Sequence, residues 1–144
     1  MKNNFWLKAL LVVVGFVAVV FMSLFFESKN SALTEEVQAW ADMTETDEYV
    51  TTVIAQSWCS HCEAIKPIIE EIQEKYGILV YWFDVDTMSE ADRNEITTVY
   101  PTTYNGTPHI FITKSGKLVN EYPGEGTKKE YVKWLTENGV ISEK

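Results

Sequence analysis

The chain reads as an α/β domain, a mixed central sheet with helices on both faces, preceded by one N-terminal transmembrane helix. Three observations predict this. Ala9 to Phe26, "ALLVVVGFVAVVFMSLFF", is eighteen residues without a charge. After it, helical and strand patterns follow one another in the order α-β-α-β-α-β-β-α. Strand–helix–strand gives a parallel pair, and a closing hairpin adds antiparallel strands to the same sheet.

With Phe5, Trp6 and Leu7 the apolar stretch covers residues 5–26. At about 1.5 Å per residue this is roughly 30 Å, enough to cross a bilayer. A cleaved signal peptide is the competing reading, but "FFESKNSALTEE" offers no clean small-x-small site. Residues 1–29 are thus expected to be a membrane anchor (or signal peptide) with a short linker, and residues 30–144 the folded domain. Lys2 and Lys8, the latter inside the first turn of the stretch, sit on its amino-terminal side, and only Lys29, near Glu27, closely follows it. The positive-inside rule then predicts a single-pass protein with a cytoplasmic N-terminus and an extracytoplasmic domain.

The elements of that domain can be justified in turn. "NSALTEEVQAWADM" places Val37, Trp40 and Ala41 at helical spacing, with Thr34 as cap and Glu35 and Glu36 in the first turn. "EYVTTVIAQS" is β-branched and predicts a strand over Tyr49 to Ala55. "CEAIKPIIEEIQEKYG" is an amphipathic helix with Ile65, Ile68, Ile69, Ile72 and Tyr76 on one face, stopping at Gly77. Pro67 inside it removes one hydrogen bond and is expected to kink it. "ILVYWFDVD" is nearly continuous in apolar residues, as in a strand covered on both faces in a central parallel sheet. "SEADRNEI" is a short helix capped by Ser89, and "YPTTYNG" is a loop. "HIFIT" and "KLVNEY" flank "KSG" as a hairpin. "TKKEYVKWLTENG" opens with a Thr127–Glu130 capping box, turns Tyr131, Trp134 and Leu135 inward and closes at Gly139.

Charge excludes one class of partner. Residues 30–144 carry nine Lys/Arg against twenty Asp/Glu. Phosphate backbones need a basic face, so no nucleic acid partner is expected. No glycine-rich phosphate loop is present, and no cofactor is expected.

The chemistry is concentrated in "WCSHC". Cys59 and Cys62 are the only cysteines. The pair can be a redox couple, part of a metal site, or a structural disulfide. A ring this small constrains the unfolded chain little. A Cys2His2 site would need His61 and His109, at a spacing that matches no common zinc finger. The redox reading fits the position best. Cys59 lies where a strand ends and a helix begins, and exposed N–H groups there stabilise a thiolate. Cys62, one turn on, can resolve the mixed disulfide that attack by Cys59 forms. His61, when charged, would favour the thiolate further; otherwise it is an exposed loop histidine. Trp58 offers a flat apolar surface.

These residues resemble the thioredoxin superfamily, over roughly residues 33 to 140. "WCSHC" resembles its W-C-x-x-C site, Pro67 the proline in its active-site helix, and "GTPHIFI" the loop whose cis-proline precedes a strand. The resemblance implies a thioredoxin-like fold, with Cys59 and Cys62 catalytic and Ser60 and His61 tuning the couple. Trp58, Thr107 and Pro108 would contact substrate, and His109 would start the next strand. Two departures stand out. Val53 occupies the position of the family's buried aspartate, and Trp82 about that of its lysine. Both charged groups assist proton transfer at the second cysteine, so reductase chemistry of the cytoplasmic kind is not implied. Glu63, just after Cys62, is the residue that could partly substitute for them. In size and layout the chain is also similar to membrane-anchored thioredoxin-like proteins of Gram-positive bacteria, including the bacteriocin transport accessory type.

The expected function is therefore an extracytoplasmic thiol–disulfide oxidoreductase that forms or isomerises disulfides in exported proteins or peptides, with a membrane redox partner. Three alternatives remain at this point. One is a reductant for an exported protein. Another is a thioredoxin-like binding module for peptide secretion. The third is a metal-handling domain using Cys59, Cys62 and a histidine.

Overall fold

The computed structural model describes residues 33–100 and 102–142. The elements are α1 (Glu35–Thr44), β1 (Val50–Ala55), α2 (Ser60–Tyr76), β2 (Leu79–Asp84), α3 (Glu90–Thr98), β3 (His109–Lys114), β4 (Lys117–Pro123) and α4 (Lys128–Glu137). The strands form one sheet in the order β2-β1-β3-β4. β1 and β2 are parallel, while β3 is antiparallel to both β1 and β4. This is the expected mixed sheet with helices on both faces.

Local chemistry sets the boundaries. Thr34, Ser89 and Thr127 cap α1, α3 and α4 by accepting N–H groups of the first turn. Both halves of the Thr127–Glu130 capping box form. α2 runs through Pro67 and stops at Gly77, whose φ of 65° suits glycine. The β3–β4 turn uses Ser115 and Gly116 at φ 50° and 68°, the handedness a tight hairpin needs.

Strand alternation divides the core between the two faces. Val53, Ile110 and Ile112 pack against Ile65, Ile69 and Ile72 of α2 and Tyr131 and Leu135 of α4. On the other face Trp40 meets Phe83 and Tyr100 edge-on, and Tyr100 meets Phe111. Trp40 is fully buried, and its Nε1–H donates to Thr52 Oγ1 at 2.9 Å. Buried Asp92 accepts from Thr34 N–H and from Ser89 Oγ–H, each at 2.8 Å, and ties the start of α1 to α3.

Two expectations need correction. β2 is not central: it forms one edge of the described sheet, and of its residues only Phe83 is fully buried. Its apolar run reports side chains that meet helices on the two faces, with Val80 and Trp82 on one and Phe83 on the other. It carries no information about which ladder edges are paired. The second correction concerns the membrane. Among the described residues no helix is long and apolar enough to cross one. The longest, α2, has 17 residues and carries Glu63, Lys66, Glu70, Glu71, Glu74 and Lys75. The predicted span, residues 5–26, lies outside the described residues. The transmembrane helix, the single-pass anchoring and the localisation drawn from that span find no support among the described residues.

Candidate active site

The site lies where β1 hands over to α2. β1 ends at Ala55, and Gln56 to Trp58 form a tight turn closed by Cys59 N–H to Gln56 C=O at 3.0 Å. Ser57 is anchored from across the sheet, its N–H donating to Asp86 Oδ1 at 2.8 Å and its hydroxyl to Oδ2 at 2.5 Å. The hydroxyl bond first, then the backbone bond, hold the Asp86 carboxyl below its ordinary value. Asp86 thus stays ionised as the clamp of the turn.

Cys59 is itself the N-cap of α2. Its backbone is extended, and its Sγ accepts the Cys62 N–H at 3.1 Å. Cys59 and Cys62 are joined as a disulfide. Both are buried, with Cys59 the more accessible at 6% against 2%. Ala55 and Trp82 pack around them. Lys66 sits over the Trp82 ring at 5.2 Å.

The second wall is the 106–108 segment. The Thr107–Pro108 bond is cis, as the family resemblance implied. Thr107 Oγ–H donates to Gln56 Oε1 at 2.9 Å and links this segment to the turn before the cysteines. Gln56, Trp58, Cys59, Ser60, His61, Gly106 and Thr107 line an open groove of about 290 Å³. Trp58 stands 73% exposed at its rim. A larger hollow of about 670 Å³, lined by Lys75, Tyr76, Val132 and Val140, holds no cysteine or histidine and lies apart from this chemistry.

The sequence-predicted residues therefore divide. Trp58, Cys59, Ser60, His61 and Thr107 share the groove, with Cys62 behind Cys59 and Pro108 fixing the opposite wall. His109 does not belong to it. Its β3 neighbour Ile110 faces α2 and α4, so His109 points to the other side of the sheet. It is buried there, beside Tyr104 and with Nε2 3.1 Å from Glu121 Oε2. Nor is it at a sheet edge, since β3 is paired on both sides. The four ligands of a Cys2His2 site are not brought together. Glu63 is exposed.

Sequence reasoning missed Gln56, Asp86, Glu121 and Glu125. Glu125 approaches the groove from the turn after β4, and its Oε2 lies 2.6 Å from His61 Nδ1. The only sequence signal for it is its setting between two glycines, "PGEG".

The comparisons agree with this geometry. The family model described as thioredoxin matches residues 29–137. The chain belongs to the thioredoxin family. Thioredoxin C-2 of Corynebacterium nephridii is 24% identical over 98 residues, covering 68% of this chain and 86% of its own. Thioredoxin-1 of Saccharomyces cerevisiae is 30% identical over 80 residues, covering 54% and 70%. Among solved structures, the thioredoxin NaTrxh of Nicotiana alata superposes with a TM-score of 0.58 at 21% identity, covering 76% of this chain and 89% of its own. These matches give no support to the narrower likeness to membrane-anchored accessory proteins.

With the fold and a disulfide-bonded Cys-x-x-Cys pair at a helix start, this thioredoxin-family protein is a thiol–disulfide oxidoreductase. Two positions near the pair carry no charged group. Val53 is fully buried among Ile65, Ile69 and Ile110, and Trp82 packs on the cysteine pair. Neither can carry a proton to or from Cys62.

Proposed function

We propose that this protein oxidises or isomerises thiols of exported proteins, working toward the oxidising end of its family. The observation that carries the reading is the capping of α2 by Cys59, whose sulfur accepts the Cys62 N–H. In the reduced protein that place stabilises the Cys59 thiolate. A stabilised thiolate is a good leaving group, and stabilising the reduced form makes a disulfide a stronger oxidant. His61 in the groove adds to this when charged. Exported substrates are favoured because disulfides persist outside the cytoplasm.

The steps follow from exposure. A substrate thiolate attacks Cys59, the more accessible sulfur, and Cys62 leaves as thiolate. A second substrate thiolate then attacks the mixed disulfide and releases Cys59. An extended substrate segment lies along Thr107 and Pro108 by strand-like pairing and rests on Trp58. Ser60 shapes the groove between the cysteines. A separate redox partner reoxidises the pair.

Stoichiometric oxidised protein, mixed with a reduced unfolded polypeptide carrying two cysteines, tests the reading. The expected result is a disulfide in the polypeptide and two free thiols in the protein. Retention of the Cys59–Cys62 disulfide with the polypeptide still reduced would overturn it.

A further inference from the structure

We propose that Glu125 is a positioning residue for His61. It fixes the imidazole with the proton on Nδ1, so that Nε2 is the atom that exchanges the thiol proton in the groove. The inference rests on the thiol–disulfide chemistry of this groove, not on its direction.

Glu125 is not a loose surface charge. Gly124 N–H donates to the carbonyl of Pro108 at 2.8 Å, so the residue before it is pinned to the groove wall. Gly126 N–H donates to the hydroxyl of buried Tyr131 at 2.8 Å, so the residue after it is pinned to the core. Burial, first of all, pushes the Tyr131 hydroxyl up to about 12, so it remains a neutral phenol. Both glycines suit the geometry. Gly124 has φ 87°, and a Cβ on Gly126 would lie 2.8 Å from the Tyr122 hydroxyl. The turn thus presents one side chain from a fixed frame, and its Oε2 is 2.6 Å from His61 Nδ1.

A carboxylate only accepts, so Nδ1 must carry the proton whether the ring is neutral or charged. Nε2 makes no hydrogen bond among the described residues and belongs to a side chain that lines the groove. A hydrogen bond at one ring nitrogen in this way decides the protonation of the other. Such a group matters here because Val53, buried in the core, and Trp82, packed on the cysteine pair, cannot exchange a proton with it.

In the oxidising direction the first substrate thiol gives its proton to Nε2. The thiolate electron pair attacks Cys59 Sγ, the S–S bond breaks, and its electrons leave on Cys62 Sγ. A second substrate thiolate, its proton lost to solvent, attacks the substrate sulfur. Cys59 Sγ departs with the bonding pair as a thiolate that shares the proton held on Nε2, while Cys62 takes one from solvent. The substrate loses two electrons and two protons, and the protein disulfide gains both. Reduction of a substrate is the same sequence reversed.

The test is the His61 tautomer in long-range ¹H–¹⁵N spectra of the full-length oxidised protein, with the resonances assigned by their loss in His61→Gln. The wild type is expected to show the Nδ1–H form, and Glu125→Ala the Nε2–H form. Because both side chains reach solvent, the rate of dithiol peptide oxidation should fall by only about threefold in Glu125→Ala. It should fall no further in the double variant than in His61→Gln alone. An Nε2–H wild type, or losses that multiply in the double variant, would overturn the proposal. A wild type that oxidises no peptide would remove the oxidising reading and leave the tautomer to decide on Glu125.

Discussion

His109 Nε2 and Glu121 Oε2 lie 3.1 Å apart behind the cis-proline segment, with the histidine 1% exposed and the carboxylate at the protein surface. The same oxygen accepts the Thr103 N–H at 2.7 Å. One carboxylate therefore ties the start of β3 to the loop that leads into the groove wall. Burial, the largest influence, lowers the imidazole below its ordinary value, although Glu121 opposes this. Burial also raises the Glu121 carboxyl, but the Thr103 and His109 hydrogen bonds outweigh it and leave the carboxyl low.

A pH dependence of stability follows. With a lowered folded pKa, His109 binds its proton more readily in the unfolded chain. Its contribution is intact above the ordinary histidine value and is lost as pH falls from about 6.5 toward the folded value. Glu121, also lowered, loses its contribution on further acidification. Both slopes have the same sign. Denaturant unfolding between pH 7 and 5 should show stability falling by at most about 1.4 kcal/mol per pH unit from His109. His109→Gln should flatten the dependence in that range. An equal slope in the variant would show that His109 is not the group responsible.

The two cysteines should fail in different ways. Cys59→Ser removes the accessible sulfur and should reduce thiol exchange at least about a thousandfold. Cys62→Ser keeps the attacking sulfur without its resolving partner, and should accumulate a mixed disulfide with a peptide disulfide offered to it. Mass spectrometry of the trapped species distinguishes them. Trapping by Cys59→Ser instead would reverse the assignment.

Restoring the family aspartate should be costly here. Val53→Asp places a carboxyl in the buried cluster that holds Ile65, Ile69 and Ile110. The expected loss is about 3 kcal/mol in chemical denaturation. A loss under about 1 kcal/mol would mean that the pocket can take a charge or a water.

Trp40 supports the opposite face through its bond to Thr52. Trp40→Phe removes the indole N–H and leaves the buried Thr52 hydroxyl without that donor. A loss of about 1–3 kcal/mol is expected from the missing bond and the smaller ring. An unchanged unfolding midpoint would show that the hydrogen bond contributes nothing net.

What the sequence made legible, and what it hid, has a physical division. Thr34, Ser89, Thr127 and Gly77 act on their own backbone neighbours, so element ends could be placed to within a residue or two. Cys59 and Cys62 were legible for the same reason, being one helical turn apart. Pro108 needed the family pattern, because nothing in its neighbours alone specifies a cis bond. β2 was misplaced because hydrophobic pattern reports covered faces and not paired edges. Glu125 and Glu121 were hidden because their partners, His61 and His109, are brought to them only by tertiary folding. The apolar residues 5–26 fitted a membrane span by length and hydropathy but lie outside the described residues, among which no helix is long and apolar enough to cross a membrane.

The reduction potential of the Cys59–Cys62 couple is the most direct measurement. It is read by equilibrating the full-length protein in glutathione buffers of graded ratio with a chelator present. A thiolate-stabilising helix start with His61 in the groove predicts a potential of about −120 to −180 mV. A value of about −270 mV or lower, in the range of thioredoxin reductants, would contradict the oxidising role.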